Sequence, residues 1–244
     1  MAASLEKPVS KLRVAVYVFG TVVLFAMAIL FFVYRASQAV PDFYQESLTI
    51  EPAAAAAAGD EFEHELLNTQ NQLAAGNEWQ LVISDEQING WLTADLEKKF
   101  PNLLPLEVTN PRVKFVDGEV KFACHVDTDK LAAVLSIDLE PYLTDQHNEI
   151  ALRLRKVRAG RLPLPLSNLL DDISRQALDA GIVIRWTQAD GNPIALFSLP
   201  NDHGDLPEGF EVHHLKVIEG ELQLAGTADA YQSVAVGETF NSQH

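Results

Sequence analysis

The stretch that decides the fold is PRVKFVDGEVKFACHVD, residues 111–127. Its two arms, 112–116 and 119–127, flank Asp117-Gly118, a dipeptide suited to a two-residue hairpin turn because both central positions of that turn need positive φ. In the second arm Val120, Phe122, Cys124 and Val126 share one face, and Lys121, His125 and Asp127 share the other. A period of two with one wet face describes a half-buried antiparallel strand. The period continues downstream, where Leu135, Ile137 and Leu139 alternate with Ser136 and Asp138. Ile150, Leu152 and Leu154 then alternate with Arg153 and Arg155.

Beyond this sheet, Pro163 and Pro165 interrupt strand pairing. Leu166, Leu169, Leu170, Ile173 and Ala177 then form one stripe, which predicts a helix closed by Gly181. Four more strands are expected at 182–187, 194–199, 210–217 and 221–225. Upstream, Ser84 and Gln87 form a capping box, followed by Ile88, Trp91, Leu92 and Leu96 at helical spacing. A shorter helix is expected to open at Asp60, with Glu63 completing its box. Pro41, Pro52 and six consecutive alanines make residues 35–59 a tether, and 231–244 carry little pattern and read as a frayed tail. No βαβ alternation occurs. The expected class is α+β: an N-terminal transmembrane helix, then at 60–230 a curved antiparallel sheet wrapped on amphipathic helices.

Residues 14–34, VAVYVFGTVVLFAMAILFFVY, contain no charge. As a helix they extend about 31 Å, the thickness of the hydrocarbon core. Lys7, Lys11 and Arg13 precede the run within the 1–13 tail, and only Arg35 follows before a series of carboxylates. The positive-inside rule places the N-terminus in the cytoplasm and the domain outside the inner, or plasma, membrane. Cleavage after Ala39, which follows Ser37 in a small-x-small pair, is the alternative, but the run exceeds an ordinary signal-peptide core.

The net charge is −16 over 244 residues; because residues 1–35 carry +3, the rest carries −19. So acidic a domain repels phosphate backbones and argues against nucleic acid as a partner. A single cysteine, Cys124, excludes an internal disulfide and a cysteine-based zinc site. None of the eleven asparagines lies in a glycosylation sequon, which favours a bacterial envelope. No nucleophile elbow, P-loop, dinucleotide fingerprint or zincin motif is present, so neither an enzyme nor a cofactor is expected. His213 and His214 are strand neighbours that point to opposite faces, which disfavours a shared metal. Five cations stand out within nine residues: Arg153, Arg155, Lys156, Arg158 and Arg161. They read either as a wet strand face paired with local carboxylates or as a contact for phosphate head groups or another anionic envelope polymer.

ISDEQINGWL at 83–92, PRVKFVDGEVKF at 111–122, LEPYL at 139–143 and RAGRLPLPLSNLL at 158–170, behind an anchor and a juxtamembrane Tyr44, resemble the YpmS-like family of single-pass extracytoplasmic bacterial proteins. The similarity spans about residues 80–226. That family in turn resembles the tubular lipid-binding proteins, which implies a bent sheet round a helix with a groove for acyl chains. The expected partners are then the bilayer, through one span, and an acyl-chain ligand. The groove would be lined by Ile88, Trp91, Leu92, Val120, Phe122, Leu152, Leu154, Leu169, Leu170 and Ile173, residues that would equally pack a closed core. The alternative is a structural or assembly protein that binds an envelope protein partner through a sheet edge or its acidic surface.

Overall fold

The computed structural model describes residues 24–29, 31–101, 103–128, 131–164, 166–179, 183–199 and 206–230. Positions 24–29 and 31–37 are helical. Their apolar side chains face solvent: Phe25 and Phe32 are 69% and 68% exposed. The rest of the 14–34 run lies outside the described residues, as do Gly181 and the 231–244 tail. Among the described residues no helix is long and apolar enough to cross a membrane.

The elements that follow are helices α1 (Asp42–Ser47) and α2 (Pro52–Ala75), strand β1 (Asn77–Ser84), and helices α3 (Asp85–Ala94) and α4 (Leu96–Lys99). Next come β2 (Val108–Val116), β3 (Glu119–Thr128), β4 (Leu131–Leu143), β5 (Glu149–Ala159) and the two-residue β6 (Leu162–Pro163). Helix α5 (Leu166–Asp179) leads to β7 (Ile184–Ala189), β8 (Asn192–Ser198), β9 (Glu211–Ile218) and β10 (Glu221–Ala228). The fold is α+β with two antiparallel sheets. One has three strands, ordered β1-β10-β9, and the other runs β2-β3-β4-β5-β8-β7, with β6 paired to β5. The Asp117-Gly118 hairpin forms as expected, in the register Val116 opposite Glu119. Strand β1 was not anticipated, although Trp79, Leu81 and Ile83 alternate within it.

Residues 35–59 are not a tether. Pro52 occupies the first turn of α2, where its missing N–H costs nothing, and the alanines that follow are the strongest helix formers. The helix runs through Asp60, which therefore caps nothing. Small side chains here also allow close packing: a Cβ on Gly90 of α3 would lie 2.6 Å from the Ala55 carbonyl and 2.8 Å from Gly59 N. Ala55 is fully buried at this crossing.

Helix α3 is built to cover an edge. Ser84 and Gln87 exchange the two hydrogen bonds of the expected capping box. Asn89 donates to the Val113 carbonyl and accepts from the Val113 N–H, both at 2.8 Å. One turn earlier, Asp85 accepts from the Phe115 N–H at 3.1 Å and pairs with Lys114 at 3.1 Å, an ion pair that raises the Lys114 pKa. β2 is an edge strand, so these side chains replace the missing neighbour for its outward backbone groups. Pro111 in the same strand fits an edge position, where no ladder partner needs its N–H.

The two sheets meet where the hairpin ends cross. Gly118 N–H donates to Val217 O at 3.0 Å and Gly220 N–H to Phe115 O at 3.2 Å. Trp79 stacks on Phe210 at 5.3 Å, with Ala228 against them, forming the core of the smaller sheet.

Candidate functional site

The faces of the large sheet follow from its register. Val120, Leu139 and Leu154 form one row across β3, β4 and β5, and Phe122, Ile137 and Val157 form the next. Leu152 continues this face beside Pro141 and Ala195. Leu154 and Val157 are buried, but Val120, Phe122, Ile137, Leu139 and Leu152 are only half-buried. The structure therefore brings Val120, Phe122, Leu152 and Leu154 together on one apolar surface.

The helical groove candidates lie at opposite edges of that surface. α3 packs on α2 and β2, whereas α5 packs on β7, the strand at the far end of the sheet. Trp91 belongs to the α2–α3 contact: its Nε1–H donates to Glu63 at 2.9 Å, and its ring lies 5.8 Å from Phe62 and 5.9 Å from Phe100. Lys99 also bonds Glu63, and these two hydrogen bonds hold the Glu63 carboxyl below its usual pKa. Ile88 and Leu92 are half-buried on the same helix. On α5, Leu170 and Ile173 are half-buried, and the side chain of Leu169 falls outside the described residues. Trp186 of β7 donates to Ser174 of α5 at 2.7 Å, which ties that helix to its strand.

On the opposite face of the large sheet, Lys121, Asp138 and Lys156 stand in one row, and Ala123, Ser136 and Arg158 in the next. A bulge gathers these cations. Leu139 pairs with Leu154 while Asp138 pairs with Lys156, so Arg155 is the extra residue. The change of phase explains why the apolar positions run 150, 152, 154 and then 157, 159. That switch of parity is legible in the sequence, where it was passed over. Four of the five cations divide into two pairs. Arg153 and Arg155 share Glu140, each at 3.3 Å, and Arg153 also lies 5.4 Å from the Tyr142 ring centre. Lys156 and Arg158 share Asp138 at 4.0 and 3.7 Å, and Arg161 is exposed.

Sequence reasoning gave no hint that residues 36–47 cover this charged face. Tyr44 of α1 is 2% exposed, packs on Ala123 and Val134, and donates its hydroxyl to Asn110 O at 3.0 Å. Beside it, Arg112 is buried among carbonyls: its Nη1 donates to Pro111 O at 2.7 Å, its Nε lies 3.3 Å from Ser47 O, and burial lowers its pKa. Gln38 donates to Ala132 O at 2.9 Å, and Arg161 N–H donates to Ala36 O at 2.9 Å. Gly160 explains part of the stretch RAGRLPLPLSNLL at 158–170. It has φ +59°, and a Cβ there would fall 2.4 Å from the Ala36 and Ser37 carbonyls. Between residues 39–43 and the sheet lies a cleft of about 400 Å³, lined also by Lys121, Asp138, Lys156, Arg158 and Arg161.

Other chemistry-bearing residues stay apart. His213 contacts Thr227 and Glu211, whereas His214 pairs across to Ala225, and among the described residues no three His, Cys, Asp or Glu side chains converge as metal ligands would. Burial pushes the Cys124 thiol up to about 11, the opposite of nucleophilic activation. Comparison with known proteins finds no family model, curated protein or solved structure that matches this chain.

Proposed function

We propose that the chain is a single-pass membrane protein of the bacterial cell envelope. Its N-terminus is cytoplasmic, and its extracytoplasmic domain binds an acyl chain or similar hydrophobic ligand without catalysing a reaction. In this reading the large sheet curves about amphipathic helices, as the resemblance to YpmS-like and tubular lipid-binding proteins implies. The observation that carries it is the half-buried apolar face. Val120, Phe122, Ile137, Leu139 and Leu152 are adjacent by register, yet none is fully covered. A sheet closed on a complete core would bury such residues, and a contiguous apolar surface left open is a place for a ligand or partner. The exposed apolar side chains at 24–34, beside a sheet tied to residues 36–38, support placement at a bilayer.

The test is native mass spectrometry of the full chain in detergent, after delipidation and reloading with one phospholipid. One tightly held lipid is expected per chain, lost in Phe122→Asp at unchanged secondary structure. A wild-type chain that retains none, or a variant that retains as much as wild type, would refute the reading. The second reading, a partner bound by strand addition, is favoured by β7, which among the described residues pairs with β8 alone and ends its sheet.

A further inference from the structure

The cleft behind the juxtamembrane chain differs in character from the apolar face. Four cations line it, Lys121, Lys156, Arg158 and Arg161, against two carboxylates, Asp42 and Asp138. Asp138 is shared between Lys156 and Arg158 at long distances. Lys121 and Arg161 lie within ion-pair distance of no carboxylate among the described residues. The cleft therefore carries a local excess of two positive charges in a strongly negative domain, and that excess selects an anion of one or two charges. Arginine and lysine together suit phosphate oxygens, through forked and point-charge hydrogen bonds respectively.

Position identifies the source of the phosphate. Ala39, which lines the cleft, follows Tyr34 by three helical residues and a turn at Gln38, whose N–H bonds back to Tyr34 O, so the two lie within about 10 Å. The polar layer of a leaflet is about 5–8 Å thick, so a span ending at Tyr34 puts Ala39 within or just beyond the head groups. The bonds from Arg161 to Ala36 and from Gln38 to Ala132 fix the sheet at that height. We infer that this cleft binds the phosphate head group of an anionic phospholipid in the outer leaflet, with Lys121 and Arg161 as its main ligands. The inference rests on the membrane-anchored part of the proposed function and not on acyl binding by the apolar face.

The full chain reconstituted in phosphatidylcholine vesicles, with trace spin-labelled phosphatidylglycerol or spin-labelled phosphatidylcholine, tests it. The motionally restricted fraction should favour phosphatidylglycerol, and Lys121→Gln/Arg161→Gln should reduce that preference roughly tenfold, the scale of one or two lost charge-assisted hydrogen bonds. Lys216→Gln on β9 should leave it intact. A double variant with wild-type preference overturns the inference. Millimolar inorganic phosphate, at matched ionic strength, should not displace the restricted lipid from the wild type. Displacement would assign the cleft to soluble phosphate and overturn the lipid assignment. Phe122→Asp, which probes the apolar face, should leave the head-group preference unchanged, so the two readings fail separately.

Discussion

Asn89 shows how much one side chain contributes here. Its amide meets both the N–H and the C=O of Val113 on an edge strand, at a site 5% exposed. Asn89→Ala leaves both backbone groups buried and unpaired, at a cost of about 2–4 kcal/mol. A lower thermal midpoint of the detergent-solubilised chain, read by tryptophan fluorescence, checks this. Tyr44→Phe should cost only about 1 kcal/mol, for the hydroxyl bond to Asn110, whereas Tyr44→Ala also removes a buried ring and should cost about 3–5 kcal/mol. Cys124 gives a prediction in pH. With its pKa pushed up to about 11, the native thiol carries about 100-fold less thiolate at pH 8 than an ordinary thiol of pKa 9, so alkylation should require unfolding. The sign for stability follows: between pH 9 and 11 the unfolded thiol ionises while the folded one stays protonated, so stability falls as pH rises through that window. Mass spectrometry after brief iodoacetamide treatment, with and without denaturant, measures the first effect.

Among elements, the α2–α3 crossing and the docked segment at residues 36–47 govern the architecture. Gly90→Ala forces a Cβ against the backbone of α2 at 2.6 Å and should destabilise the chain by about 1–3 kcal/mol, measurable in the same thermal assay. The sequence shows the strands and the capping box clearly, because alternation and S-x-x-Q spacing are local signals. The roles of Ala53 to Ala58, Gly90, Tyr44 and Gly160 depend on which elements approach one another, and a single sequence does not encode that as a local pattern. Alanine favours a helix, so the run after Pro52 is itself a helix signal; the packing of that helix on Gly90 is what no local pattern shows. The bulge at Arg155 is intermediate, since its shift of apolar phase from Leu154 to Val157 is printed in the sequence but is recognised only once β4 is laid beside it.

At the scale of the molecule, the apolar face is fixed by the register of β3, β4 and β5, and the charged face by the bulge and the docked N-terminal segment. Groove candidates on α3 and α5 sit at opposite ends of the sheet, because periodicity reveals which side of a helix is apolar and not which strand it meets. The proposed function stands or falls with an acyl chain on the half-buried sheet face. Photocrosslinking settles it most directly, using the full chain in native membranes loaded with a phospholipid bearing a diazirine at the end of its acyl chain. The account expects adducts in peptides from β3 and β5, centred on Phe122 and Leu152, in addition to those in residues 14–34. Adducts confined to 14–34, with β3 and β5 unlabelled, would contradict it.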